Sequence, residues 1–247
     1  MKKARIFFII GLIFTIAAGA LTFAVSKVDI NNSCYGDNER YDNIGQEELL
    51  RYGNMRCETI GFSTINYSVN NILPFNETLY KITDIAGYVP ILFAFIYGIT
   101  GIIQLLKRKK LMKVDHELIA LGGLFAVAFA TYVAFNKIAV NYRPVLLDGE
   151  LEPSFPSSHT MLILCICFGI IISNLMFHKN IGRLKAVNAI LTFSAAFIVV
   201  GRFLSGAHWA TDIFGGLLYA TAYLTIYRAA LILVKNHKKL ENKTKEE

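Results

Sequence analysis

The 247-residue chain is 54% hydrophobic and only 17% charged, with a mean hydropathy of +0.46, which excludes an ordinary soluble globular domain. Its formal net charge of +7 raises nucleic-acid binding as an option, but the placement of that charge removes it. Lys and Arg gather at Lys2-Lys3-Ala4-Arg5, at Lys107-Arg108-Lys109-Lys110 with Lys113, from Lys179 to Lys185, and from Lys235 to Lys245. Each cluster flanks a long apolar run, so the basic balance is a topology signal.

Six apolar segments, roughly 6–25, 86–106, 117–136, 159–177, 186–201 and 212–234, approach the ~20 residues that a helix needs to cross a bilayer. The predicted fold class is all-α: an integral membrane bundle of six transmembrane helices with an extracytoplasmic loop insertion after the first. Alternate crossings put all four basic clusters on one side, the cytoplasm by the positive-inside rule. Residues 1–25 start basic and contain the small residues Ala17-Ala18-Gly19-Ala20, like a cleaved signal. Their apolar run of ~20 residues exceeds the usual signal core, so a retained first helix with a cytoplasmic N-terminus is expected.

Residues 26–85 form the extracytoplasmic loop, rich in Asn, Asp and Tyr, with a short helix expected at 46–51. Cys34 and Cys57 fall on the oxidising side and are a possible disulfide worth ~3 kcal/mol on the chain-entropy model, the alternative being two free thiols. Asn-x-Ser/Thr triplets at Asn31, Asn66 and Asn76 are common by chance. A solvated spacer is favoured over a lid for this loop. Residues 86–234 follow as a five-helix core, in which Cys165 and Cys167 act as small hydrophobes, and 235–247 as a basic cytoplasmic tail.

Ionisable groups at membrane depth are costly and call for a functional explanation or a structural partner. Arg202, His208 and Asp212 stand in one of the most apolar regions of the chain. His208 and Asp212 are four apart, so a carboxylate in the first turns of a helix reaches one imidazole nitrogen and leaves the other free as nucleophile or base. A buried polar cluster that only fixes helix packing is the plainer alternative. Further upstream, Pro156-Ser157-Ser158-His159 reads as a helix start, since proline fits the first turn and serine hydroxyls cap free N–H groups. Such a terminus also favours an anion.

The topology sorts the five histidines. His116, His178 and His237 fall on the cytoplasmic side; His159 and His208 fall outside, joined there by Arg143, Arg202 and Lys137 against the charge bias. Cations on the disfavoured side are explained by a bound anion. Two histidines, an aspartate and two or three cations at one membrane face describe phosphoryl transfer: His208, aligned by Asp212, attacks phosphorus; Arg143 and Arg202 hold the equatorial oxygens; His159 protonates the leaving oxygen. No carboxylate cluster with metal-ligand spacing accompanies them, so cationic side chains are expected to stand in for a metal, with no cofactor.

Lys137…Arg143-Pro144, then Pro156-Ser157-Ser158-His159, then Arg202…His208…Asp212 resemble the three signature motifs of the type-2 phosphatidic acid phosphatase superfamily, in order and with similar intervals. The resemblance is close over 137–216 and extends elsewhere by helix count. It implies a six-helix membrane fold, His208 as nucleophile, Asp212 as its partner, His159 as acid, and Lys137, Arg143, Ser157, Ser158 and Arg202 as a phosphate cradle. Three departures stand out. The family usually has six residues between Lys and Arg-Pro; here there are five, with Asn136 at the Lys position. Because one residue turns a helical side chain by about 100°, Lys137 reaches the site only if its helix end unwinds. Gly201 replaces a usual Ser before Arg202, and Ser158 a usual Gly.

The resemblance thus implies a hydrolase of the cell membrane that removes phosphate from a lipid monophosphate or diphosphate, such as phosphatidate, phosphatidylglycerol phosphate or undecaprenyl diphosphate, on the extracytoplasmic side. Its partners would be a membrane lipid substrate and the bilayer. A lipid-to-lipid phosphotransferase sharing the phospho-histidine intermediate and a non-catalytic membrane interaction protein are the alternatives.

Overall fold

The computed structural model describes residues 1–36, 39–42, 56–177 and 181–244. In chain order these form α1 (Lys2–Val25), a three-stranded sheet of β1 (Asn31–Gly36), β2 (Glu39–Asp42) and β3 (Arg56–Ile60), then α2 (Ser63–Ile72), α3 (Glu77–Ala86), α4 (Tyr88–Arg108), α5 (His116–Lys137), α6 (Ser158–Phe177), α7 (Ile181–Leu204) and α8 (Ala210–Thr244). Among the described residues, six stretches are long and apolar enough to cross a membrane, the second being α3 and α4 taken together. The mostly helical, six-span architecture expected from hydropathy is therefore present.

The centre of the bundle is α6. It is apolar all round and buried at ten of its twenty positions, as suits a helix surrounded by others. It packs against α5, α7 and α8, and its Ile163, Cys165, Cys167 and Ile170 join Leu121, Leu191 and Leu231 in the main core. Three polar side chains within this layer are linked to one another, as burial favours. Tyr97 donates to Asn174 Oδ1 (2.6 Å), and Asn174 donates in turn to Asn188 Oδ1 (3.0 Å), tying α4 to α6 and α7. The first helix lies along α8, where Gly11 faces Ile226 and Thr22 shares a hydrogen bond with Tyr219 (2.9 Å).

The described residues of the 26–85 insertion form a sheet and two helices, more structure than a solvated spacer. The short helix expected at 46–51 lies outside the described residues. What hydropathy did not announce is the antiparallel sheet, in the order β2-β1-β3, whose register sets Cys34 opposite Cys57. The two are joined as a disulfide.

This insertion grips the chain just before α8. Asn66 of α2 is fully buried; its amide donates to Thr211 Oγ1 (2.9 Å) and Gly61 O (2.8 Å), while its carbonyl accepts from Thr211 N (3.3 Å). Asn70 donates to Gly206 O (3.1 Å), and Asn76 N donates to Ser205 O (2.9 Å). Arg40 of β2 lies over the Trp209 ring at 5.0 Å and bonds to Asn70. Gly206 has φ of +64°, and a Cβ there would meet Leu73 O at 2.4 Å. Only glycine fits both the left-handed conformation and the close approach.

Candidate active site

Three short pieces of chain converge where α6 and α8 begin. The first two form one strap, in which Arg143 N donates to Glu152 O (3.0 Å) and Ser154 N to Asn141 O (2.8 Å). The third is the turn 205–209, anchored to the strap by Trp209 Nε1, which donates to Tyr142 O (2.6 Å). Ser157 caps α6, its Oγ accepting from Thr160 N (3.4 Å) and Oγ1 (3.1 Å), and its own N–H donates to Asp212 O (2.9 Å). A Cβ at Gly216 would stand 2.9 Å from Ser157 O, so the glycine lets α8 start this close.

His208 precedes α8 and Asp212 lies in its first turn. Asp212 Oδ2 is 3.5 Å from His208 Nδ1 and accepts from Trp209 N at 3.0 Å. The carboxylate is thus aimed at Nδ1 but stands at the outer edge of hydrogen-bond reach, a looseness common before substrate docks. On the other side of the ring, Arg143 Nη1 lies 3.0 Å from Nε2. A guanidinium in a protein only donates. Nε2 therefore carries the lone pair, and the ring proton sits on Nδ1, towards Asp212. Burial, first, and then the charges of Arg143 and Arg202 hold His208 well below the usual histidine pKa, which keeps that lone pair available.

The second histidine, His159, lies in the first turn of α6, with Nε2 2.7 Å from Arg202 Nη2. Arg202 is fully buried, its guanidinium 4.4 Å from the Tyr80 ring centroid. Its Nε and Nη1 have no partner among the described residues. Two unpaired donors on a buried cation are costly unless something accepts from them, and an oxyanion is the acceptor that matches their fork.

Sequence reasoning missed two carboxylates. Asp84 of α3 accepts from Arg202 Nη2 (2.6 Å) and stands 3.1 Å from His159 Nε2; Glu152 accepts from Arg143 Nε (3.0 Å). Each arginine is thereby oriented by an acid outside the three motifs, and only the polar interruption of an apolar region marked Asp84 in the sequence. The structure does not bring Lys137 to the cluster. Helix α5 stays regular to Lys137, whose side chain is exposed, and among the described residues no contact joins it to Arg143, Arg202 or either histidine. Ser158 opens α6 beside His159. Both line a cavity of about 360 Å³ whose other walls include Tyr88, Ile91, Leu162 and Ile166.

Helices of membrane length thus position Arg143 beside His208 and Arg202 beside His159. Residues 141–232, which hold Arg143, His159, Arg202, His208 and Asp212, match the PAP2 superfamily. The bacitracin transport permease protein BcrC of Bacillus licheniformis is 28% identical over 151 residues, which are 58% of this chain and 65% of that protein, so the chain spans just under two thirds of that relative. Among solved structures, the first transmembrane PAP2 type phosphatidylglycerolphosphate phosphatase from Bacillus subtilis aligns over 97% of both chains with a TM-score of 0.49 and 17% identity.

Proposed function

We propose that the protein is a metal-independent lipid phosphate phosphatase that works through a phospho-histidine on His208 at the extracytoplasmic face. The observation that carries this is the pair of unpartnered buried donors on Arg202, whose Nη2 lies 2.7 Å from His159 Nε2. A phosphate seated against them presents phosphorus to the Nε2 lone pair. His208 attacks in line, Arg143 and Arg202 stabilise the spreading charge, and His159 protonates the departing oxygen. His159 then takes a proton from water as it attacks the phospho-histidine, freeing phosphate and restoring both rings. The adjoining cavity suits the apolar part of an amphiphile, with polar Ser158 and His159 at one end and Leu162 and Ile166 along the wall.

The sidedness rests on charge. His159 and Asp212 are at the N-terminal ends of α6 and α8, whereas Lys235 of α8 donates to Met176 O near the C-terminal end of α6. Site and basic cluster are thus at opposite ends of the bundle, and the basic end is the cytoplasmic one by the positive-inside rule.

The test is release of inorganic phosphate from lipid monophosphates and diphosphates by purified protein in excess EDTA. Sustained release is expected. Loss on chelation contradicts metal independence, and labelled phosphate appearing on a second lipid instead of in water indicates a transferase.

A pH dependence follows from the neutral state of His208. A nucleophile whose pKa is lowered stays active until the pH falls through that lowered value. The acid limb of kcat/KM is therefore expected below the ordinary histidine pKa of about 6.5, after correction for titration of the substrate phosphate. An acid limb at or above that value contradicts the depression.

A further inference from the structure

How many phosphates a site accepts depends on the positive charge left over once its own acids are counted. Two arginines serve this site, and each already has a carboxylate partner. Glu152 accepts from Arg143 Nε (3.0 Å), and Asp84 Oδ1 stands 2.6 Å from Arg202 Nη2. Lys137, the third cation expected there, stays exposed at the end of α5. The two unpartnered donors of Arg202, Nε and Nη1, suffice for one phosphoryl group.

The space beyond that group has a different character. In the chemistry proposed above the leaving group lies on the side of His159, where the cavity of about 360 Å³ opens. Asp84 lines this cavity together with Tyr88, Tyr132, Ser158 and His159, and among the described residues no Lys or Arg does so. Its side chain is partly exposed, and its Oδ1 is 3.1 Å from His159 Nε2. The carboxylate therefore stands beside whatever the leaving oxygen carries. An alkyl or glycerol carbon in that place is uncharged. A second phosphate would meet Asp84 at close range in a cleft walled by Ile91, Leu162 and Ile163, where like charges repel more strongly than in water.

We propose that Asp84 is a specificity-determining residue that restricts the site to lipid monophosphates, by setting a negative charge where the second phosphate of a diphosphate would lie. This rests on the phosphatase reading above and names its substrate class. The experiment measures kcat/KM for a long-chain alkyl monophosphate and for the diphosphate of the same chain. Full-length parent, Asp84→Asn and Asp84→Glu are compared in excess EDTA by initial release of inorganic phosphate. The parent is expected to favour the monophosphate. Asp84→Asn keeps the shape and removes the charge, and is expected to raise kcat/KM for the diphosphate roughly tenfold without raising that for the monophosphate. Asp84→Glu keeps the charge and is expected to keep the preference. A damaged fold or a weakened cradle lowers activity on both substrates, so an absolute gain on one of them reports the charge. No gain on the diphosphate, an equal gain on both substrates, or a parent that prefers the diphosphate overturns the proposal; should Asp84→Asn fail to accumulate, Asp84→Ser carries the same comparison. The two levels fail differently. A parent inactive on both substrates, or His208→Ala as active as the parent, removes the phosphatase reading itself, whereas a His208-dependent parent that prefers the diphosphate removes only the role of Asp84.

Discussion

Replacing His208 with alanine is expected to reduce phosphate release by at least about 10⁴-fold, because a covalent route has no substitute once its nucleophile is gone. The fold is expected to survive. His208 ends a turn that is held from outside by Asn66, Asn70 and Asn76, and none of those bonds involves the imidazole. Arg143, which loses the His208 contact, keeps Glu152 and Ala207 O. The check is phosphate release at matched amounts of parent and variant, with helicity by circular dichroism alongside. A variant within tenfold of the parent would place the nucleophile elsewhere.

The second large effect is expected from Arg202→Lys. Arg202 uses Nη2 to reach Asp84 and His159 while offering Nε and Nη1 to the cradle. A lysine ammonium is a point donor on a flexible stem and cannot do both. It would pair with Asp84 or with the phosphate, and it would also lose the guanidinium contact with the Tyr80 ring. A fall in kcat/KM on the order of 10²- to 10³-fold is expected, the range for removing one preorganised transition-state donor. The split between the constants is informative: charge is retained, so KM should change less than kcat. Equal activity of Arg202→Lys and parent would show that the fork makes no use of its geometry.

How far the sequence anticipates this site depends on the range over which each feature is encoded. The six spans are legible because bilayer length and continuous apolarity are local properties, and the ends of α5 and α6 fall within a residue or so of the expected segments. The pairing of His208 with Asp212 is legible because four residues make one helical turn. Lys137 shows the converse. The same periodicity warns that a one-residue shift turns it away, and α5 does remain helical to its end. Asp84 was not legible, since nothing near it predicts a contact with residues 159 and 202. The sheet was hidden because its strands are short and polar, with none of the apolar alternation that marks a half-buried strand. The insertion was expected to be a solvated spacer for the same reason. Asn66 and Asn70 are nonetheless buried, and Asn66, within a triplet expected to arise by chance, is fully enclosed against the start of α8. Composition reports that a segment is polar; it does not report that the polarity is spent on another part of the backbone.

The central claim is that phosphate passes through a covalent bond to one imidazole. The direct measurement is rapid quench of the protein during turnover of a lipid carrying ³²P-phosphate, followed by peptide mapping. Acid-labile, alkali-stable label on the peptide containing His208 is predicted, and absent from His208→Ala. Turnover with no label on the protein at any quench time, or with label on a peptide that lacks residue 208, would contradict it.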